Sequence, residues 1–308
     1  MSCWPRAGRS PPHSSPCDAE GGFLDVTDIQ ANYAHCLTVL RETDRDRYLA
    51  CLLAPAEKRG ALAALYAFNA EIARVRDMVR EALPGEIRLQ WWRDLLEGEA
   101  DGDASANPLA AALMATVKEH RLPIAVLTDM IEARIFDVYN DPMESRATFE
   151  GYAGETASAL IQLASLVLDP ADAPKSANAA GHAGVAQAVA GALLMLPIHR
   201  RRGQVYLPAD LLAATGLTPE ALLDGSDRPA AMRAVEAFVG LGREHLAKAR
   251  EANGISAANR PAFLPVSLVR HILNAVEKAG AEALERAPQP PQWRRQWWMW
   301  RAMRRGPF

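Results

Sequence analysis

Residues 59–96 read RGALAALYAFNAEIARVRDMVREALPGEIRLQWWRDLL, and the apolar members Leu62, Leu65, Tyr66, Ile72 and Val75 recur near helical spacings. That period belongs to a long helix with one face buried. Helical spacing returns over 28–53, 108–137, 148–168, 229–253 and 261–280, while no stretch sustains a polar–apolar alternation of period two. Such a chain must bury its apolar faces helix against helix, so the fold class is all-α. With 308 residues it can bury a substantial core.

Punctuation divides the pattern further. Ala54-Pro55 marks an entry into the 59–96 helix, Pro84-Gly85 a break within it, Pro108 the start of the next helix and Leu122-Pro123 a division between two helices. The run 148–168 is rich in small residues, which permit either close approach of another backbone or room for a ligand's tail. Residues 184–198, GVAQAVAGALLMLPI, are the most apolar stretch. They fall short of the roughly 20 residues that span a bilayer, which indicates a buried core helix.

A charge of −3 with 23% charged residues lacks the basic footprint of a nucleic-acid binder. Cys3, Cys17, Cys36 and Cys51 include no C-x-x-C pair, so no zinc pattern arises and reduced thiols are expected. Residues 1–25 are Pro-, Ser- and Gly-rich without periodicity and read as a disordered segment; no apolar stretch there resembles a secretory signal. The loop acids Asp101 and Asp103 lack the downstream bidentate glutamate of a calcium loop.

Three charges, Glu71, Arg74 and Asp77, share a stripe beside the buried row of the 59–96 helix. The stripe is either a solvated face or the rim of a site. Here the motifs matter. ALYAFNAEIARVRD resembles the squalene/phytoene synthase signature A-L-Y-A-F-C-R-x-x-D-D-x-x-D, and LQWWRDLL is similar to the family's L-x-x-W-R-x-x-L. GYAGETASAL and RGQVYLPADLL resemble two further family segments, so the likeness spans roughly 44–280. It implies an isoprenoid-synthase helical bundle around a central cavity, over 26–285, followed by a separate tail at 286–308.

The family couples prenyl diphosphates on magnesium ions held by carboxylates of two facing helices. Position by position, this chain departs from that pattern. Ala73 and Arg74 stand where the leading aspartates belong and Asp77 alone remains; Asn69-Ala70 replace Cys-Arg. In the second motif Gly191, Leu194, Met195, Ile198 and His199 replace Asn, Arg, Asp, Glu and Asp. Magnesium needs hard oxygen ligands, and neither methionine sulfur nor imidazole restores them. The matching segments AFNAEIARVRD, LQWWRD, YAGETASAL and PIHRRRGQVYLP are similar to a branch of the family whose members assist assembly of respiratory complex I.

A central cavity is expected with a charged rim built from Glu71, Arg74, Asp77, Arg93 and the basic run His199, Arg200, Arg201 and Arg202, with Tyr66 and Tyr206 bordering it; a structural ion-pair network with a solvated basic turn at 199–202 is the alternative account of the same residues. Asp137 matches an acidic family position. Three functions stay open. The first is a non-catalytic binder of an isoprenoid or lipid that assists complex I assembly, with a complex I subunit or assembly intermediate as partner and no cofactor. The second is an active prenyltransferase using Asp77, Glu71 and Asp137 with magnesium, Asp77 being the one weak metal-ligand candidate. The third is a peripheral membrane protein. The tail motivates it: Trp293, Trp297 and Trp300 recur at helical spacing beside Arg294 and Arg301 with no acid, which suits either an anionic membrane surface, at about 1 kcal/mol per arginine, or closure of the protein's own core. The expected location is the cytoplasmic or matrix side, peripherally associated with the inner membrane.

Overall fold

The computed structural model describes residues 26–79, 81–99 and 106–308, and every regular element among them is helical. The expected disordered segment 1–25 and the acids Asp101 and Asp103 lie outside the described residues. The chain begins with α1 (Val26–Thr43) and α2 (Arg45–Leu53). They divide at Asp44, whose carboxylate accepts from the Arg47 N–H at 3.0 Å and so caps α2.

Next come α3 (Arg59–Ala73), α4 (Val75–Met78) and α5 (Ala82–Glu97). The break expected at Pro84-Gly85 falls instead at Arg74 and again after Met78. Pro84 sits in the first turn of α5, where its missing N–H has no helical acceptor to lose. The sequence indicated the division of α6 (Pro108–His120) from α7 (Ile124–Tyr139). α8 (Arg146–Ala153) joins α9 (Ala159–Leu168) through a π-helical turn, Gly154–Ser158. Then follow α10 (Ala177–Arg201), α11 (Ala209–Ala214), α12 (Pro219–Asp224) and α13 (Arg228–Glu251). The chain closes with α14 (Arg260–Phe263), α15 (Val269–Ala279) and α16 (Gln292–Arg305).

Two helices organise the core. α3 packs against α1, α6 and α9, and α10 packs against α13, α15 and α9. The one-sided burial expected of α3 is corrected: every residue from 61 to 70 is buried. Alanine at 61, 63, 64, 67 and 70 adds no bulk, so neighbours close in on all sides. α10 is likewise a core helix. Residues Ala173–Arg201 are long and apolar enough to cross a membrane by length and composition, yet 61% of the relevant window is buried in the protein. Where α10 crosses the π-helical turn, a Cβ on Gly184 would lie 2.3 Å from the Ser158 backbone nitrogen, and Ser158 Oγ donates to the Gly181 carbonyl at 2.7 Å. The small residues of 148–168 therefore serve close packing at this point. Trp91 and Trp92 divide as adjacent helical residues must: Trp92 is buried edge-on to Phe68, and Trp91 packs partly exposed against it.

Candidate functional site

α3 and α4 face α10 across a cavity of about 480 Å³. Ala70, Ala73, Gly191, Leu194 and Met195 give this gap small and apolar walls, and Leu268, Val269 and Ile272 extend the apolar lining. α7, the π-helical turn, α2 and α16 supply the remaining sides. The lining holds six arginines (47, 74, 76, 134, 202, 295) against four aspartates (44, 46, 77, 137), an excess of two cations.

One wall is a buried polar knot. Asp137, only 6% exposed, accepts from the Tyr206 hydroxyl at 2.7 Å, from the Tyr152 hydroxyl at 3.0 and 2.9 Å, and from Arg134 Nη1 at 3.0 Å. Burial, and next the Asp137 carboxylate, push the Tyr206 hydroxyl well above the usual phenol range. Both tyrosines thus stay protonated donors. His199 leans on the Tyr206 ring at 4.5 Å between centroids, and burial lowers its pKa to about 4, with nearby Arg202 acting in the same sense. It is a neutral imidazole at neutral pH.

The positions where the family signatures carry acids, Ala73, Arg74, Met195 and His199, line the cavity, as does Gly191, where they carry asparagine. Asp77 lines it too, but its carboxylate is paired with Arg202. The donor set does not fit magnesium: Asp77 and Asp137 each already face an arginine, Arg202 and Arg134 respectively. Among the described residues, no three His, Cys, Asp or Glu side chains converge on one point. An arginine-rich pocket with apolar walls instead suits an anionic head on an apolar body.

The other charged end of the lining comes from α2 and α16. Asp44 pairs with Arg47 at 2.6 Å, and Asp46 pairs with Arg295. Burial alone would raise the Asp44 carboxyl, but the Arg47 guanidinium and N–H outweigh it and hold it low. For Asp46 burial wins, and its carboxyl lies above the usual range despite Arg295.

Of the residues the sequence nominated, Arg74, Asp77, Asp137, His199, Arg202 and Tyr206 meet at this cavity. Five others are not in its lining, among them the exposed Arg201. Tyr66 is buried in the core at 2% exposure. Glu71 pairs with Arg88 of α5, and Arg93 pairs with Glu132 of α7. Arg200 turns away to the carbonyls of Leu222 (2.7 Å) and Leu284 (2.8 Å), where it ties down the ends of two later elements. The kink at Arg74 explains Glu71, because the stripe of three charges is not one continuous face. Sequence reasoning missed Asp44, Arg47, Arg134, Tyr152 and Arg295, which come from separated helices. The acidic family position at 137 was the only signal near Arg134.

Comparison with known proteins adds the relationship. The squalene/phytoene synthase model matches residues 40–301. The chain belongs to the squalene/phytoene synthase family. Within it, the chain is 32% identical over 251 residues to NADH dehydrogenase (ubiquinone) complex I, assembly factor 6 of Rattus norvegicus, covering 81% of this chain and 75% of that one. The human protein of that name is 30% identical, covering 79% and 73%. The 15-cis-phytoene synthase of Synechococcus elongatus is more distant, at 24% identity over 88% of this chain and 92% of its own. Among solved structures, a dehydrosqualene synthase superposes with a TM-score of 0.75 at 19% identity, covering 90% of this chain and 97% of that one. The isoprenoid-synthase fold expected from the sequence is thus the fold observed.

Proposed function

We propose that this family member does no prenyl coupling, and that it binds an anionic isoprenoid or lipid and assists the assembly of respiratory complex I. One observation carries the reading: the cavity positions where the family holds magnesium on aspartates are Ala73, Arg74, Met195 and His199, and the remaining Asp77 is neutralised by Arg202. A displaced diphosphate needs concentrated positive charge beside the leaving oxygen, and magnesium held by several carboxylates is how the family supplies it. Arginines recognise such a group through bidentate hydrogen bonds. The rebuilt metal site of the transferase alternative is not assembled, because Glu71 is paired with Arg88 outside the cavity. The relatives named complex I assembly factors support the assembly role. That role places the protein on the cytoplasmic or matrix face of an energy-transducing inner membrane.

The test has two arms. Purified protein incubated with farnesyl or geranylgeranyl diphosphate and magnesium releases no diphosphate above background, with or without Asp77→Ala. Turnover that Asp77→Ala abolishes would restore a synthase. In cells, deletion of the gene lowers assembled complex I measured by in-gel NADH dehydrogenase activity, and Asp77→Ala complements the loss. Normal complex I in the deletion strain would refute the assembly role.

A further inference from the structure

α16 packs on residues 264–268 and on α2, and its two sides differ sharply. Inward, Met299 and Ala302 are buried, Trp298 stacks on His271 at 3.7 Å, and Arg295 reaches the cavity to pair with Asp46. Outward, Trp293, Trp297 and Trp300 are 65%, 51% and 45% exposed. At about 100° per residue these three fall within roughly 60° of arc on the helix surface. Arg304 lies on that arc, and Arg294, Arg301 and Arg305 lie along one side of it; all four are exposed.

Charge separates this face from the rest of the surface. Elsewhere arginines are commonly matched, as in Arg146 with Glu150 and Glu244 or Arg243 with Glu277. Arg294, Arg301, Arg304 and Arg305 have no acidic partner among the described residues, and α16 contains no acid at all. Three of them lie instead over the exposed indoles: Arg294 over Trp293, Arg301 over Trp297 and Arg304 over Trp300, the last at 3.9 Å. A row of indoles beside unmatched guanidiniums is complementary to a surface that is apolar just beneath a layer of negative charge. Indole rings settle at the headgroup level while guanidiniums reach the phosphates.

We infer that α16 is a docking helix for an anionic bilayer surface, with the exposed Trp293, Trp297 and Trp300 entering the headgroup region. Its inner side carries Arg295 into the cavity, so docking holds the Asp46–Arg295 end about one helix diameter, ~10 Å, from the headgroups. This inference does not depend on the assembly role: a protein that fails to support complex I can still bind vesicles.

The experiment is co-sedimentation of the full chain with vesicles of phosphatidylcholine alone and of phosphatidylcholine mixed with phosphatidylglycerol. Binding is expected to the mixed vesicles only and to weaken with added salt. Replacing Arg294, Arg301, Arg304 and Arg305 by alanine lowers partitioning by about fivefold per charge. Trp293→Ala/Trp297→Ala/Trp300→Ala abolishes the quenching of tryptophan fluorescence by brominated lipid. All seven positions are exposed, so circular dichroism should show both variants folded. Equal binding by the variants, equal binding to uncharged vesicles, or a second copy bound in place of vesicles would each overturn the proposal.

Discussion

Arg134 shows what a single residue costs and holds in place here. Its guanidinium lies beside the Asp137 carboxylate at 3.0 Å, and both side chains are mostly buried, at 16% and 7% exposure. A buried pair adds little over two apolar residues, because desolvating both charges offsets their attraction. Breaking it is another matter, since the remaining charge stays buried without a counter-ion. Asp137→Ala strands Arg134 and also removes the acceptor for the hydroxyls of Tyr152 and Tyr206. Urea unfolding should register a loss of about 3–5 kcal/mol. Asp137→Ala/Arg134→Met should recover part of it, and a double variant as unstable as the single one would show that the pair is not what Asp137 stabilises. Tyr66 is a contrasting case. The sequence placed it at the cavity, but it turns into the core, where the Arg47 guanidinium lies 5.8 Å from its ring.

Helices were legible where the apolar period was clean, as in α6, α7 and α13, and where proline or glycine marked an end. Two features of the central elements were not. Alanine counts as apolar without saying how many neighbours surround it, so the all-round burial of α3 could not be told from one-sided burial. The π-helical turn at Gly154–Ser158 has no residue signature, and it lies where α10 crosses. The cavity was legible only through the family motifs, because Arg47, Arg134, Tyr152 and Arg295 converge from α2, α7, α8 and α16. Two glycines on α10 measure the crossing. A Cβ at Gly184 would meet the Ser158 backbone at 2.3 Å, and a backbone in a packed crossing has little room to retreat. Gly184→Ala should therefore cost about 2–3 kcal/mol. Gly191, on the same helix beside the cavity, has nothing within 4 Å of its Cβ position. There alanine should stabilise by about 0.5–1 kcal/mol through helix propensity alone. Equal denaturation midpoints for the two variants would contradict this account of the crossing.

The whole molecule responds to acid in one direction because its perturbed histidines agree. Burial lowers the pKa of His120, His182, His199 and His271. A histidine depressed by folding binds its proton more readily in the unfolded chain. Stability from such a group is intact above the unfolded value near 6.5 and is lost as pH falls toward the folded value. For His199 the fall from 6.5 to about 4 corresponds to about 3 kcal/mol at 1.36 kcal/mol per pH unit. Carboxylates enter only lower down. The depressed Asp44 and Glu150 withdraw stability below their ordinary values of 3.8 and 4.5, while the raised Asp46 partly opposes them by taking up its proton in the folded state. Between about pH 6.5 and 4.5 the histidines therefore dominate, and His199 has the largest resolved depression among them. Unfolding free energy should be level above neutrality and should drop through this window. In His199→Gln the drop should shrink, with proton uptake on unfolding near pH 5 reduced by about one proton per molecule. An unchanged slope would mean that His199 is reached by solvent in the folded protein, and that the wall it forms with Tyr206 and Arg202 is open rather than closed.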